Sequence, residues 1–219
     1  WVRNFAVKYV STQKPYIKNI NLDSNSQFLI LTVDPKHALP IALEKELAER
    51  NIFCKIATFQ EVADQNLFDN HAYTHLVVIS PEEGEEDLQQ IIARLQVAVQ
   101  PIKTTGYKAN ITYIQYGDGF FGENQSSPSF VNTTAKAFAS SLHLERPNAK
   151  IRVIDLSTSI RPKSIVKHLL AEICAEESFL AVGYDKRKVR RMPQVVVQTE
   201  NSYEPRDITW TQEDVILVT

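Results

Sequence analysis

The sequence predicts an α/β fold with a mostly parallel sheet, and three observations lead there. Short apolar, β-branched runs recur along the chain, each followed by a stretch with helical spacing, the order that builds parallel sheets with helical crossovers. Runs such as Phe28-Leu29-Ile30-Leu31 and Leu76-Val77-Val78-Ile79 are apolar on both faces, as strands covered by helices on each side must be. The 219 residues are 43% apolar and 23% charged, close to globular averages, which excludes collagen-like, disordered and coiled-coil chains. That length is ample for a buried core.

Taken in order, the expected strands are Asn4–Val10, Gln27–Val33, Ile52–Thr58, Thr74–Ser80, Asn110–Tyr116 and Lys150–Leu156. A helix is expected over 38–50, with Leu39, Ala42, Leu43, Leu47 and Ala48 on one face. Leu88, Ile91, Ile92, Leu95 and Val99 form a second stripe within 85–104, behind acidic residues from Glu82 to Asp87 that suit a helix N-terminus. A third helix is expected over 129–145, rich in alanine. A fourth covers 162–177 and starts at Pro162, a favoured first-turn residue. The last fifth changes character: Ser178–Asp185, Met192–Thr199 and Asp214–Thr219 read as strands, with a connector at 201–211.

Charge and cysteine content narrow the class. Lys and Arg number 24 against 26 Asp and Glu, which argues against a whole-surface nucleic-acid binder. Cys54 and Cys174 stand alone, with no CxxC or Cys/His cluster, so a disulfide framework or zinc site is not expected. No apolar run reaches the roughly 20 residues that span a bilayer, and no signal-peptide pattern opens the chain. A cytoplasmic protein is the expectation. The chain starts at Trp1 and stops at Thr219 just after a strand-like run, which reads as a piece of something longer.

Three motifs invite a chemical reading. Gly117-Asp118-Gly119-Phe120-Phe121-Gly122 is a literal GxGxxG behind an expected strand, and it uses three of only six glycines. A dinucleotide site needs a helix N-terminus directly after such a turn. Here 123–128 intervene, so an ordinary loop is the preferred reading. Tyr184 and Lys188 have the Tyr-x-x-x-Lys spacing that, on a helix, lets an ammonium depress a phenol's pKa. Their flanks read as strand and hairpin, where residues four apart lie about 13 Å apart, so the pair is not expected to cooperate. Lys186, Arg187, Lys188, Arg190 and Arg191 form a cationic run. It reads as a solvated hairpin, as arginines paired with carboxylates of a neighbouring domain, or as a patch for an acidic partner. The five histidines are scattered, and Ser157-Thr158-Ser159 lacks a base or nucleophile elbow. No catalytic, cofactor-binding or metal-binding residue is assigned.

At this point the residues resemble a known family. The run Ala135–Pro147, with Leu144-Glu145-Arg146-Pro147, leading into Ile151-Arg152-Val153-Ile154-Asp155-Leu156, resembles part of the structural subdomain of ketoreductases in type I polyketide synthases. Glu177–Asp185, followed by Arg187, Arg190 and Arg191, is similar to that subdomain's closing strand and arginine-bearing turn. Asp214–Thr219 resembles the first strand of the catalytic Rossmann subdomain. The polyunsaturated-fatty-acid-type synthases look nearer than the modular macrolide enzymes.

The resemblance implies a truncated Rossmann-like, three-layer fold akin to short-chain dehydrogenases/reductases. The expected division is a structural subdomain over 1–199, a connector over 200–213, and the first strand of the catalytic subdomain over 214–219. It implies a noncatalytic support for an NADPH-dependent β-ketoacyl reductase in a polyketide or fatty-acid synthase multienzyme, inactive by itself. NADPH would sit in the adjoining catalytic subdomain, with an acyl carrier protein nearby and neither nucleic acid nor membrane as partner. Arg187, Arg190 and Arg191 are the candidate interdomain contacts. Two alternatives stay open: a stand-alone interaction or dimerisation domain, and an independent nucleotide-binding enzyme using Gly117–Gly122.

Overall fold

The computed structural model describes residues 5–17, 20, 22, 25–65, 73–82, 88–97, 110–123 and 133–197. The chain divides into two compact units, one of residues 9–193 and one of residues 1–8 with 194–219.

The larger unit opens with the end of β1 (Phe5–Thr12), then β2 (Gln27–Thr32), α1 (Ala38–Ala48), β3 (Phe53–Thr58), α2 (Phe59–Gln65), β4 (His75–Ile79) and α3 (Leu88–Val97). It continues through β5 (Asn110–Gln115), α4 (Thr134–Glu145), β6 (Lys150–Leu156), a 3-10 turn at Pro162–Ser164, α5 (Val166–Ile173) and β7 (Phe179–Tyr184), and ends in β8 (Arg190–Val197). The sheet order is β1-β8-β7-β6-β5-β4-β2-β3. Strands β2 to β7 are parallel, and β8 turns back antiparallel on β7. The chain therefore winds one way from β2 to β3 and the other way from β4 onward, which places a topological switch point between β2 and β4. A two-halved Rossmann sheet has two strands beyond its first on the short side; this sheet has one, β3.

Strand alternation splits the core between two helical layers. Leu29, Leu31, Leu76, Val78, Ile111 and Val153 face α2, α3 and α4, whereas Phe28, Ile30, Val77, Ile114 and Ile154 face α1 and α5. This double coverage explains why the strands read as continuous apolar runs. Two polar residues interrupt the apolar run of β6, Arg152 and Asp155, both fully buried; Arg152 donates to the carbonyls of Ala175 and Glu177 in the segment after α5.

Three differences from the expected elements have local causes. The expected helix at 162–177 splits into the 3-10 turn and α5, with Ile165 between them at φ −128°. The α2 helix was not expected, because seven residues with Val62 as the buried apolar position show no stripe. Its start is nevertheless a capping box. The Glu61 carboxylate accepts from the Thr58 amide at 2.6 Å, and the Glu61 amide donates to Thr58 Oγ1 at 3.2 Å. The helix expected from 129 begins at Thr134 among the described residues, and the Asp214–Thr219 strand and the 200–213 connector lie outside them.

Candidate functional site

Ligands of open α/β sheets bind at the carboxyl ends of the strands, and two turns there differ in construction. The first follows β5. Asp118, Gly119, Phe121 and Gly122 all have positive φ, between 55° and 84°, so successive backbone amides turn inward as in an anion-binding nest. The anion in the nest belongs to the protein itself. Asp155 of β6 accepts from the Gly117 amide at 2.6 Å, the Phe121 amide at 2.9 Å and Gln115 Nε2 at 3.0 Å. Burial pushes its carboxyl up to about 6, against the pull of these donors and of the Gly119 amide.

The loop is also pinned from β7. A Cβ on Gly183 would run into the Gly119 carbonyl, and one on Gly119 would lie 2.5 Å from the Asp185 amide. Only glycine fits either position. On the far side Tyr9 stacks on Phe121 with centroids 5.7 Å apart. The Lys136 ammonium sits 4.7 Å from the Phe121 ring centre and donates to the Tyr9 hydroxyl at 3.3 Å. Burial lowers the Lys136 pKa and raises that of Tyr9. This pair braces the loop from the α4 side.

Beside the loop, a cleft of about 430 Å³ runs along the ends of β5, β6 and β7, with Asp118, Ser157, Ser159, Asp185, Arg187 and Arg191 among its walls. Its polar groups largely satisfy one another. Ser157 Oγ donates to Asp118 at 3.0 Å. Arg191 donates through Nε and Nη2 to one Asp185 oxygen at 3.0 and 2.7 Å, with its guanidinium carbon 4.6 Å from the Phe120 ring centre. The other Asp185 oxygen accepts from the Arg187 and Val189 amides at 2.9 and 3.0 Å. Against the burial that pushes it up, these bonds hold the Asp185 carboxyl below its ordinary pKa.

The candidate contact arginines thus have different surroundings. Arg190 points to the opposite side of β8 from Arg191 and binds Glu172 at 2.6 and 3.1 Å and Thr12 at 2.8 Å. Glu172 also accepts the buried Tyr184 hydroxyl at 2.5 Å. The carboxylates that hold Arg190 and Arg191, Glu172 and Asp185, belong to this chain. Arg187 and Lys186 are exposed at the cleft rim. Tyr184 ends β7 and Lys188 lies in the following turn at φ 59°, so the Tyr-x-x-x-Lys spacing brings nothing together.

The second turn follows β2, at the switch point where a dinucleotide-binding fold places its glycine-rich loop. Here Val33-Asp34-Pro35-Lys36-His37 contains no glycine. Asp34 Oδ1 accepts from the Lys36 amide at 2.9 Å. His37 caps α1, its Nδ1 accepting from the Leu39 amide at 3.4 Å. The other ring nitrogen lies 3.2 Å from Glu82, and the ring meets Tyr116 edge-on. The α1 N-terminus thus carries a side-chain cap on the Leu39 amide.

Elsewhere, no group of His, Cys, Asp and Glu among the described residues could hold a metal ion. No helix of the described residues is long and apolar enough to cross a membrane. Cys54 and Cys174 are free thiols, and burial pushes both up to about 12. Asp155 is the site residue that motif reading did not assign. Its cradle depends on the β5–β6 register, which sets Gln115 opposite Asp155.

These features define a Rossmann-like α/β sheet whose glycine loop is closed on an internal carboxylate. No family model and no curated protein matches the sequence. Among solved structures the fold is similar to a keto acid-selecting NRPS module containing adenylation, ketoreductase and pseudo Asub domains, with TM-score 0.67, 13% identity, and coverage of 93% of this chain and 19% of that one. It is similar also to A-type ketoreductases from a modular polyketide synthase, with TM-score 0.61, 12% identity, and coverage of 89% of this chain and 43% of that one. A C2-type ketoreductase gives TM-score 0.60, 12% identity, and coverage of 92% and 45%. The likeness is one of fold, and the chain spans less than half the length of each.

Proposed function

We propose that this chain is the noncatalytic, Rossmann-like subdomain that supports a ketoreductase in a polyketide- or fatty-acid-type multienzyme. The observation that carries this reading is the closure of both turns that could hold a dinucleotide. The Gly117 and Phe121 amides are taken by Asp155, those of Phe120 and Gly122 by the Gly117 carbonyl, and the switch-point turn has no glycine and a side-chain-capped helix. A pyrophosphate needs open amides and close backbone approach, so the residues present do not fit NADPH. No reaction step is assigned to this chain. The fold of the ketoreductase structures supports the assignment of class.

The role left is mechanical. In the smaller unit, Phe5 and Val7 recur at strand spacing on β1, as do Val195 and Val197 on β8, and all four are exposed. Phe5 is 62% and Val195 66% exposed. Apolar side chains in such a row suit burial against another domain, here the catalytic half following in the same polypeptide. In this reading NADPH binds that half, and the division at 1–199, 200–213 and 214–219 follows it.

Calorimetry of the 219-residue chain with NADPH tests the reading. No heat of binding is expected, and micromolar affinity would falsify it. Co-expression with the chain that follows Thr219 in the parent should yield a stable complex, which Val195→Asp with Val197→Asp should disrupt.

A further inference from the structure

A second depression lies on the α1–α5 face, away from both turns. It is a groove of about 710 Å³ between α1 and the segment formed by the 3-10 turn and α5. Helix α1 turns Leu39, Leu43 and Leu47 into the core, so a second stripe one step round the helix faces outward. Ala38, Ile41 and Ala42 of that stripe, with Pro162 and Val166 opposite, make the apolar floor. Ile41 is 46% exposed, a large aliphatic side chain left in water between two helices.

The rim is cationic. Lys36, Lys45, Arg161, Lys163 and Lys167 stand around the floor, all exposed. The ion pairs among the described residues involve none of them. Of the two acids at the groove, Glu46 is held by Arg50 at 2.9 Å, leaving Glu49. In a chain with a formal net charge of −2, this is a local excess of positive charge around apolar surface.

We infer that this groove docks an acidic amphipathic helix from a partner protein or domain, which lays its apolar side chains on Ile41 and its neighbours and its carboxylates against the five cations. Charge complementarity selects the sign of the partner. The floor selects its form. A nucleic-acid backbone offers sugars and phosphates but no large apolar side chain to fill it, and a flat bilayer surface does not enter a channel between two helices. A helix with apolar residues at i, i+3 and i+4 fits a channel between two helices. Small Ala38 and Ala42 let its backbone approach. This inference does not depend on the proposed support role.

The test uses a fluorescein-labelled 18-residue helical peptide with leucines at i, i+3, i+4 and i+7 and glutamates on both flanks. Its fluorescence anisotropy is read against the 219-residue chain at low and high salt. The expected results are saturable binding that weakens with salt, and at least tenfold loss when leucines become serines or glutamates become lysines. Lys45→Glu with Lys163→Glu should weaken binding at least tenfold and Ile41→Asp at least fivefold, while Lys150→Glu at the start of β6 leaves it unchanged. Thermal melts check that each variant is folded; Lys45→Gln with Lys163→Gln replaces any that is not. Hydrogen exchange should show protection over 38–49 and 162–167. Absence of binding, equal binding of the serine peptide, or insensitivity to the variants overturns the inference. So does self-association of the chain that Ile41→Asp abolishes, or binding to phosphatidylglycerol vesicles that the double charge reversal abolishes while the peptide is ignored.

Discussion

The turns after β5 and after β2 occupy the same edge of one parallel sheet and solve opposite problems. The β5 turn is rich in glycine, runs through four positive-φ residues among 118–122, and wraps a carboxylate supplied by the next strand. The β2 turn has Pro35 and an imidazole cap; its backbone amides bond to neighbours in sequence, and the His37 ring also meets Glu82 and Tyr116. The motif associated with phosphate binding therefore wraps a carboxylate of its own chain, and the switch point lacks the motif. A glycine pattern reports the backbone path a turn must take; what fills the turn is decided by the adjacent strand.

That contrast can be broken most forcefully at Gly119. Gly119→Val sets a β-branched side chain at φ 79° against the Tyr184 and Asp185 backbone. A loss of roughly 3 kcal/mol is expected in urea unfolding, and a variant within about 1 kcal/mol of wild type would mean the loop is not pinned on β7. Asp155→Asn should cost about 1–3 kcal/mol, since an amide NH₂ would face backbone N–H groups and leave buried donors unmatched.

The same carboxylate predicts a pH dependence. Its pKa, near 3.9 in an unfolded chain, rises to about 6 in the fold, so the folded state holds the proton more tightly. The contribution of Asp155 is full below about pH 4 and is lost as pH rises through about 6. Asp155→Asn lacks this slope. The stability gap between wild type and Asn is therefore expected to be wider at pH 4.5 than at pH 7. A gap that instead grows with pH would show the carboxylate held ionised by its donors.

Substitutions in the β2 turn should do much less. Pro35→Gly is expected to cost about 0.4–1 kcal/mol, chiefly through greater freedom of the unfolded chain. Asp34→Ala removes one exposed bond to the Lys36 amide and should stay within about 0.5 kcal/mol by thermal melt. Losses there as large as at Gly119 would erase the distinction between the two turns.

Much of the fold was legible because burial on both faces leaves a direct trace in composition. Strand β6 was read with its observed bounds, Lys150–Leu156, and the β7–β8 hairpin was anticipated from its flanks. The helix α2 was missed for want of an apolar stripe, although Thr58-Phe59-Gln60-Glu61 carried a capping-box signal. The candidate site was less legible. Asp155 stands among apolar residues in a strand, and its meaning comes from Gly117 and Phe121, 38 and 34 positions away. The basic groove was likewise hidden, since Lys36 and Lys45 meet Arg161, Lys163 and Lys167 only after α1 and α5 lie side by side.

The sequence by itself determined the alternation of strand and helix and the parallel sheet, because hydrophobic periodicity acts over a few residues. The tertiary structure decided what each turn encloses and which charges stand free. Arg190 and Arg191, adjacent in a run of five cations, are drawn to Glu172 and Asp185 on opposite sides of one strand. Lys45 of α1 and Lys167 of α5 take part in none of the ion pairs among the described residues. A charge is committed or available according to what folding brings within a few ångströms, and sequence spacing does not carry that distance.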